Sequence, residues 1–302
     1  MPELPEVHTT ATMLNELVSN ERILSVWTDY KSAYHTGREN IKDPKYFKKF
    51  TEEIIDRKII EVFRRAKNVL IDVDGDKTIL IHMKMTGHLL YGKYIYDKKN
   101  NKWSPEDKLS SLAGPFSRFI HLVFTLSSGK HIAFSDMRKF ATVSLIPDKI
   151  AFGKTFEKVG PEPLEKTFDW RALRTRLLLR PNGKIKTVLM DHYIVAGIGN
   201  IYSDEILWAS NIHPERKISS LNDIEIKEIL KQSKRLLIKG IDFGGDSMSD
   251  YRNPLGERGK FQEKHEAYRR TGLPCRKKGC KGKIVRKIIG QRSAHFCDTH
   301  QK

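Results

Sequence analysis

The sequence predicts an α+β chain in three parts. Through about residue 148, short runs of β-branched and aromatic residues alternate with turn signals, a pattern typical of strands, and helical periodicity follows. All the cysteines lie in a basic tail that ends the chain. We therefore predict a β-sandwich domain over residues 1–148, a helical domain over 149–255 and a metal-binding β-hairpin over 256–302.

The predicted first domain opens with a helix over residues 5–18, because four apolar residues share one face: Val7, Ala11, Leu14 and Val18. Strand signals follow. The turns Asp74-Gly75 and Ser128-Gly129 each separate two apolar runs, which predicts two hairpins. The predicted strands cover residues 23–27, 59–63, 69–73, 78–83, 89–94, 119–126, 131–134 and 141–146.

The pattern changes near residues 147–153. Two polar stretches, residues 34–49 and 98–117, are predicted to be loops or insertions. The predicted helices of the second domain cover residues 170–179, 185–192, 201–209 and 223–239.

The charge balance indicates an anionic partner. Lysine and arginine number 55 against 37 aspartate and glutamate, a formal net charge of +18. Nucleic acid is the commonest such partner, although a basic surface that serves solubility has the same composition. The start MPELPEV lacks the apolar stretch of a signal peptide, and no run approaches the roughly 20 apolar residues of a membrane span. We therefore expect a cytoplasmic protein with no membrane partner.

The tail has the spacing of a structural zinc site, Cys275-x4-Cys280-x16-Cys297-x2-His300. Two ligand pairs separated by a spacer can meet one tetrahedral ion. The intervening segment suits a two-stranded ribbon with its turn at Gly290. The alternative is scattered thiols beside a surface histidine. His295 is a poorer fourth ligand than His300, because one intervening residue before Cys297 would strain the knuckle.

The N-terminus offers a nucleophile beside carboxylates. Pro2 follows Met1, so removal of Met1 would expose a secondary α-amine, whose pKa near 8 leaves more of it unprotonated than a lysine. Glu3 is placed to act as a general acid, and Glu6 lies one helical turn further on. The alternative is an ordinary helix start, in which Pro and Glu are favoured.

Motifs along the whole chain closely resemble the formamidopyrimidine-DNA glycosylase family and, more broadly, the family shared with endonuclease VIII. MPELPEV stands at the extreme start, GIGNIYSDE in the middle and GQRSAHFCDTHQ at the end. Further matching segments are RRAKN at 64–68, HMKMTGHL at 82–89, DMRKFA at 136–141, GPEPL at 160–164, GGDSMSDY at 244–251 and GKFQ at 259–262.

The resemblance implies an N-terminal β-sandwich, a helical domain with a helix–two-turn–helix motif and a zinc-finger hairpin. It implies a monomer that binds damaged double-stranded DNA between its domains. Pro2 would be the Schiff-base nucleophile and Glu3 the acid/base. Lys67 would bind a phosphate near the damaged nucleotide, and Asn200 and Arg292 would grip the phosphates that flank it.

The resemblance also implies a wedge that fills the gap left by the flipped base, made of Met85, Arg138 and Phe140. His82 and Tyr268 are further candidates for DNA contact. Without the resemblance, Met85 and Phe140 would be interpreted as core residues. Lys67 would then be a solvated turn lysine, and His82 a structural or phosphate-contacting histidine.

Four features depart from the family pattern. The first cysteine pair has four intervening residues where two are usual, and His300 stands where cysteine is usual. Ala141 replaces the typical glycine after the wedge motif. The 98–117 stretch precedes a strand near the wedge, where it would alter contacts to the undamaged strand. Residues 244–251 open with two glycines and suit a lid over the flipped base.

We therefore predict a bifunctional glycosylase and AP lyase of base excision repair, with one structural zinc ion. It would remove oxidised purines such as 8-oxoguanine and formamidopyrimidines, with β,δ-elimination. One alternative is the oxidised-pyrimidine specificity of endonuclease VIII. The other is a DNA-binding protein without catalytic activity.

Overall fold

Eight of the ten strands in the first 146 residues pair into two antiparallel sheets in the computed structural model, which describes residues 1–248 and 250–302. The first sheet has the order β1 (Ile23–Thr28), β8 (Ile120–Leu126), β9 (His131–Ser135), β5 (His88–Gly92). The second has the order β10 (Thr142–Ile146), β4 (Lys77–His82), β3 (Asn68–Val73), β2 (Ile59–Arg65). Both predicted hairpins are confirmed, as β3–β4 and β8–β9.

The two sheets share one apolar core. Leu122 and Phe124 of the first sheet and Ile71 and Ile81 of the second are each at most 1% exposed and belong to one buried cluster. Because side chains alternate between the faces of a strand, this cluster defines the inward faces of a sandwich. The predicted β-sandwich is therefore confirmed.

The first helix, α1 (Leu4–Val18), packs on β2 and β3. Its four predicted apolar residues join the core of the sandwich, none more than 2% exposed. The helix starts one residue before the prediction, because Glu3 takes the N-cap position and forms a capping box with Glu6.

The predicted loop over residues 34–49 is partly wrong. Residues 44–49 begin the helix α2 (Pro44–Ile54), whose N-cap Asp43 accepts a hydrogen bond from Lys45 N at 2.9 Å. Phe50 and Ile54 are its buried contacts with the core. Lysines and glutamates on the exposed side hide this short apolar stripe in the sequence.

The predicted loop over residues 98–117 is also partly wrong. It contains β7 (Lys102–Pro105), which pairs with β6 (Tyr94–Asp97), and the predicted strand 89–94 therefore ends at Gly92. This hairpin covers the outer face of the first sheet, where Leu90, Val123 and Ala133 are fully buried. An outer sheet face as apolar as this one needs a cover, and the hairpin supplies it.

The remaining helices are α3 (Lys149–Phe156), α4 (Trp170–Leu177), α5 (Ile185–Leu189), α6 (Asn200–Ala209) and α7 (Asp223–Asp242). Of these, α3 was not predicted. The prediction for α5 is three residues too long, because the chain turns at Asp191, whose carbonyl accepts from the N–H groups of Ile194 and Val195. Helices α6 and α7 pack closely, and a Cβ at Gly240 would lie 2.2 Å from the Tyr202 hydroxyl.

The ribbon consists of β11 (Ile284–Ile289) and β12 (Arg292–Cys297), which pair in register around the turn Gly290-Gln291. Both turn residues have positive φ, 55° and 61°. A Cβ at Gly290 would lie 2.3 Å from Thr187 Cγ2 of α5, so only glycine permits this approach. The predicted ribbon and its turn are confirmed.

The chain folds as two compact units, residues 1–157 with 243–260, and residues 158–242 with 261–302. Within the first unit, Tyr91 N donates to Pro254 O at 2.7 Å, which attaches the 243–260 segment to the edge strand β5. The domain limits at 148/149 and 255/256 stay predictions. Within residues 1–248 and 250–302, no helix combines the length and apolar character needed to cross a membrane.

Candidate active site and metal centre

Pro2 and Glu3 lie at the start of α1, where both are buried. Glu6 reaches back along the first turn, and its Oε2 accepts from Glu3 N at 2.7 Å. Its other oxygen, Oε1, accepts from Asp246 N at 2.7 Å. One carboxyl group therefore joins the N-terminal pair to the 243–260 segment, a role that sequence reasoning missed.

Glu6 has an unusual proton affinity. It is 1% exposed, and burial, followed by the nearby charge of Glu3, raises its pKa from 4.5 to about 7. Hydrogen bonds from Asp246 and Glu3 oppose the rise without cancelling it. Near neutral pH this side chain therefore exchanges a proton beside Pro2 and Glu3.

The nitrogen of Pro2 is a tertiary amide as long as Met1 is attached. Met1 is 40% exposed, so it is accessible at the surface. Removal of Met1 converts that amide into a secondary amine with a lone pair. The chemistry of this site therefore depends on processing of the first residue.

The 243–260 segment rests on α1. Gly244 and Gly245 have φ of 69° and 86°, and a Cβ at Gly245 would lie 2.8 Å from Glu6 Cγ. The Tyr251 hydroxyl donates to Glu6 O at 2.9 Å, and burial raises the pKa of this phenol. The double glycine thus lets the segment approach the N-terminal site. The lid function predicted for residues 244–251 stays a prediction, and Ser249 lies outside the described residues.

Several predicted residues meet at one end of the sandwich. In the second sheet, Asn68 and Thr142 both stand beside His82, so the turn before β3, the end of β4 and the start of β10 adjoin. Lys67 lies in that turn, and His82 ends β4, with its Nδ1 accepting from Lys84 N at 3.0 Å.

Two loops at this end pass from one sheet to the other. Residues 83–87 join β4 to β5 and carry Met85, while residues 136–141 join β9 to β10 and carry Arg138 and Phe140. Met85 is 37% exposed and Phe140 50% exposed. The interpretation of these two as core residues is therefore wrong. The Arg138 guanidinium lies 4.4 Å from the centre of the Phe140 ring, a cation–π pair at the surface.

Asp136 forms hydrogen bonds that connect these two loops. This fully buried carboxylate accepts from the Thr86 hydroxyl and, at 2.9 Å, from Ala141 N. Tyr30 donates to it at 3.1 Å, and Thr86 also accepts from Arg138 N at 3.1 Å. Asp136 is the first residue of the DMRKFA segment, so the motif pointed to this position in the sequence. The role of Asp136 nevertheless depends on hydrogen bonds between the two loops, which the sequence does not show.

In the second unit, Asn200 is the first residue of α6. Three residues earlier, Gly197 has a φ of 100°. The Oδ1 of Asn200 is buried and has no hydrogen-bond partner among the described residues. Behind it, Lys186 is fully buried, and its Nζ bonds to Asp204 Oδ1 and Ser203 Oγ. Sequence reasoning missed this buried ion pair.

Asp204 also holds the ribbon. Its Oδ2 accepts from His295 N at 2.9 Å and lies 3.1 Å from His295 Nδ1. The ribbon is therefore fixed on α6, and Arg292 stands exposed beside the ribbon turn. Such an exposed guanidinium at a rigid turn is available to an anion.

Tyr268 is half-buried in the stretch that leads to the ribbon. Glu205 Oε1 accepts from Tyr268 N at 2.8 Å and from Ala267 N at 2.9 Å. The Tyr268 ring packs edge-to-face on His295 and His265, with centroids 5.0 and 5.5 Å away. The backbone of this tyrosine is therefore fixed by a buried carboxylate.

The four predicted metal ligands come together. The donor atoms of Cys275, Cys280, Cys297 and His300 all lie within 4.8 Å of one another. Cys280 and Cys297 have their sulfurs 3.6 Å apart, near the roughly 3.8 Å expected for a tetrahedral zinc with 2.3 Å bonds. His295 is not in the group. The cluster can bind a metal ion.

Comparisons with known proteins identify the family of this chain. The family model described as formamidopyrimidine-DNA glycosylase N-terminal domain matches residues 1–143, and the model of its H2TH domain matches residues 159–252. The formamidopyrimidine-DNA glycosylase of Herpetosiphon aurantiacus is 35% identical, covering 100% of both chains. That of Streptococcus mutans is 34% identical, also over 100% of both.

Solved structures are similar over the same length. A Lactococcus lactis Fpg mutant in complex with Fapy-dG-containing DNA has a TM-score of 0.80 and 29% identity, with 98% of each chain covered. MutM in complex with DNA containing carbocyclic 8-oxo-G gives the same values. The fold and the site define a DNA glycosylase of base excision repair. The chain belongs to the formamidopyrimidine-DNA glycosylase family, which also has AP lyase activity, and the predicted fold class with its helix–two-turn–helix domain is confirmed.

Proposed function

We propose that this enzyme excises oxidised purines, such as 8-oxoguanine and formamidopyrimidines, from duplex DNA and then cleaves the strand. The observation that carries the proposal is the pairing of Pro2 with Glu3 at a buried helix start held by Glu6. Neighbouring structures bound to Fapy-dG and 8-oxo-G DNA support the purine class.

Pro2 is the proposed nucleophile. After removal of Met1, the lone pair of its amine forms a bond to C1′ of the damaged nucleotide, and the nitrogen then loses its proton to a base. The C1′–N bond breaks, and the base leaves with that electron pair and gains a proton. Opening of the sugar then gives an iminium between Pro2 and C1′. This cation draws electrons from C2′, so loss of the C2′ proton expels the 3′ phosphate, and a second elimination expels the 5′ phosphate.

Glu3 is the proposed acid and base. Its position next to Pro2 suits proton transfer to the ring oxygen of the sugar as the ring opens. Glu6 holds the backbone of Glu3 through the 2.7 Å hydrogen bond and fixes the first turn. We therefore assign Glu6 a positioning role.

The wedge loops prepare the substrate. Attack at C1′ requires the damaged base to leave the stack, and the gap needs filling. Exposed Met85 and Phe140 suit that task, and the Arg138 guanidinium suits a hydrogen bond to the orphaned base.

Basic and polar residues of both units would bind the phosphates. Lys67 takes a phosphate near the damaged nucleotide, and Asn200 and Arg292 take those that flank it. The buried Asn200 Oδ1 has no hydrogen-bond partner among the described residues, so a bound phosphate can orient the amide group of Asn200. His82 and Tyr268 add DNA contacts.

The cluster of three cysteines and His300 fits one zinc ion. Thiolates and imidazole are the ligands zinc prefers, and four ligands close the coordination shell. His300 Nδ1 lies 3.3 Å from Cys275 Sγ, while its Nε2 lies 3.2 Å from Trp208 O. The carbonyl can therefore orient the ring through Nε2–H while Nδ1 binds the ion. When bound, zinc has a structural role and supplies no step of the reaction.

The proposed setting follows from this substrate. The partner is damaged double-stranded DNA, bound by a monomer in the cytoplasm and associated with the nucleoid through that DNA. The proposed division into domains 1–148, 149–255 and 256–302 would assign the chemistry to the first and phosphate binding largely to the other two.

The lesion class can be tested with two duplexes, one containing 8-oxoguanine opposite cytosine and one containing thymine glycol. Single-turnover excision faster on 8-oxoguanine is the expected result. Excision confined to thymine glycol would assign the enzyme to the endonuclease VIII type. Binding without excision of either, after proof that Met1 has been removed, would indicate a DNA-binding protein without catalytic activity.

A further inference from the structure

A groove of about 1060 Å³ lies between the β6–β7 hairpin and the start of β8. Asp29, which follows β1, lines one side, and Arg118 to His121 line another. Ile120 stands beside Ser135 in the sheet, and Asp136 and the wedge loop follow Ser135 directly. The groove therefore opens at the end of the sandwich that carries the wedge.

The groove has a surplus of positive charge. Lys102, Lys108 and Arg118 line it, and none of them forms an ion pair within 4.0 Å among residues 1–248 and 250–302. Two carboxylates, Asp29 and Asp97, share the lining with these three cations, and Asp29 also pairs with Lys139 from outside the lining. Asp29 contacts His121 Nδ1 at 2.7 Å and Lys139 Nζ at 3.2 Å, and Asp97 accepts hydrogen bonds from Lys99 N and Asn100. An anionic partner would neutralise what the protein leaves uncompensated.

The hairpin presents Lys102 on a rigid base. Trp103 lies 6.3 Å from Trp27 and 5.1 Å from Tyr96 between ring centroids, and Leu112 packs on the same cluster. This aromatic cluster anchors β7 to the buried outer face of the first sheet. Ordered cations lose less conformational entropy on binding phosphates than cations on a flexible loop.

The groove is continuous with the wedge. Lys139 stands between Arg138 and Phe140 in the chain, and its Nζ bonds to Asp29 on the groove wall. Arg138 is the residue assigned to the orphaned base, which belongs to the undamaged strand. A strand that places its orphaned base at Arg138 would continue past Lys139 into the groove.

We propose that Lys102, Lys108 and Arg118 bind phosphates of the undamaged strand beside the orphaned base. The inference rests on the proposed function, because it requires a duplex pierced by the wedge. It assigns to the 98–117 stretch a second task besides covering the sheet, namely to extend the DNA contact surface on the strand that is not cut.

The test uses the full-length enzyme and a triple variant, K102Q/K108Q/R118Q. The matched control is K98Q/K99Q/K130Q, which removes the same charge from exposed positions of the same unit that do not line the groove. Binding to a lesion duplex is measured from low to high salt. Each phosphate contact contributes about 0.9 to the salt slope, so the groove variant should lose about 2 to 3 from that slope. The control should retain nearly the wild-type slope.

Strand assignment uses duplexes with neutral methylphosphonates on one strand. On the undamaged strand they should weaken wild-type binding but barely affect the groove variant, and on the damaged strand both proteins should weaken alike. Equal salt slopes for the groove and control variants would overturn the proposal, as would sensitivity confined to the damaged strand. Wild-type excision is measured in parallel. If it is absent, the proposed function fails, whereas normal excision with an unchanged groove variant refutes only this inference.

Discussion

Asp136 and Thr86 are hydrogen-bonded across two loops that are 50 residues apart in sequence. Because Thr86 follows Met85 and also accepts from Arg138 N, this contact joins the two halves of the proposed wedge. A buried carboxylate that accepts several hydrogen bonds is a stiff anchor, since each donor left without it would be buried and unsatisfied.

Replacing Asp136 with Asn should loosen the wedge. The substitution replaces one acceptor oxygen of the carboxylate with an NH2 group, which then faces the hydrogen-bond donor of Ala141, Tyr30 or Thr86. We expect this to lower the free energy of unfolding by about 2 kcal/mol. The fluorescence of a 2-aminopurine placed opposite the lesion reports on the stacking around the orphaned base. In the complex with D136N, it should show that the wedge fills the gap left by the flipped base less completely. Thr86→Ser keeps the hydroxyl and is the control. If D136N gave wild-type fluorescence while being destabilised, Asp136 would stabilise the fold without positioning the wedge.

Glu6 should make stability fall as pH rises. Its folded-state pKa of about 7 exceeds the ordinary 4.5, so the folded protein binds more protons than the unfolded chain between these values. The stabilisation is fully present below pH about 4.5 and is lost through pH about 7, by about 3 kcal/mol in total. Urea unfolding of wild type and E6Q at pH 5 and 8 measures it. From pH 5 to pH 8, the free energy of unfolding of the wild type should fall relative to that of E6Q. A difference in unfolding free energy that does not change with pH would contradict the assignment.

The buried pair of Lys186 and Asp204 should be costly to break. Both side chains are at most 1% exposed, so Lys186→Met leaves an uncompensated buried carboxylate and should cost about 3 to 5 kcal/mol. Lys184→Met is the control, because Lys184 is 47% exposed and its pair with Glu215 should contribute about 1 kcal/mol or less. Chemical denaturation compares the two. Similar losses in both variants would show that Asp204 is neutral or otherwise compensated.

The two histidines of the tail should separate zinc binding from packing. His300→Ala should lower the zinc content and the resistance to a chelator, and His300→Cys should keep one zinc, since it supplies a fourth thiolate. His295→Ala should keep the zinc but destabilise the ribbon, because His295 bonds to Asp204 outside the cluster. Metal analysis after gel filtration measures this. Loss of zinc in H295A with retention in H300A would reverse the assignment.

The sequence was sufficient to predict an element where the local spacing of apolar residues matches the face that the element buries. Strands such as β3 and β9 show their apolar residues directly, and the α1 stripe and the ribbon turn at Gly290 follow from spacing alone. Residues 44–54 and 102–105 were missed as regular elements because their packed apolar residues, such as the buried Phe50 and the partly buried Trp103, are few among lysines and glutamates. Their structure depends on apolar faces supplied by distant segments.

The candidate site divides in the same way. Pro2, Glu3 and the four metal ligands could be predicted, because a motif or a ligand spacing carries the chemistry within a few residues. The contacts of Glu6 with Asp246 and of Asp136 with Thr86 could not, because they join segments far apart in the chain. Local sequence carries the chemistry, and the tertiary fold determines which side chains hold it in place.

The central claim is that the amine of Pro2 attacks the sugar. Sodium borohydride trapping on a duplex with one 8-oxoguanine opposite cytosine tests it most directly, followed by mapping of the cross-linked peptide. With Met1 removed, we expect a covalent adduct on Pro2, and none in a variant that retains Met1. An adduct mapped to a lysine, or undiminished trapping when Met1 is retained, would contradict the account.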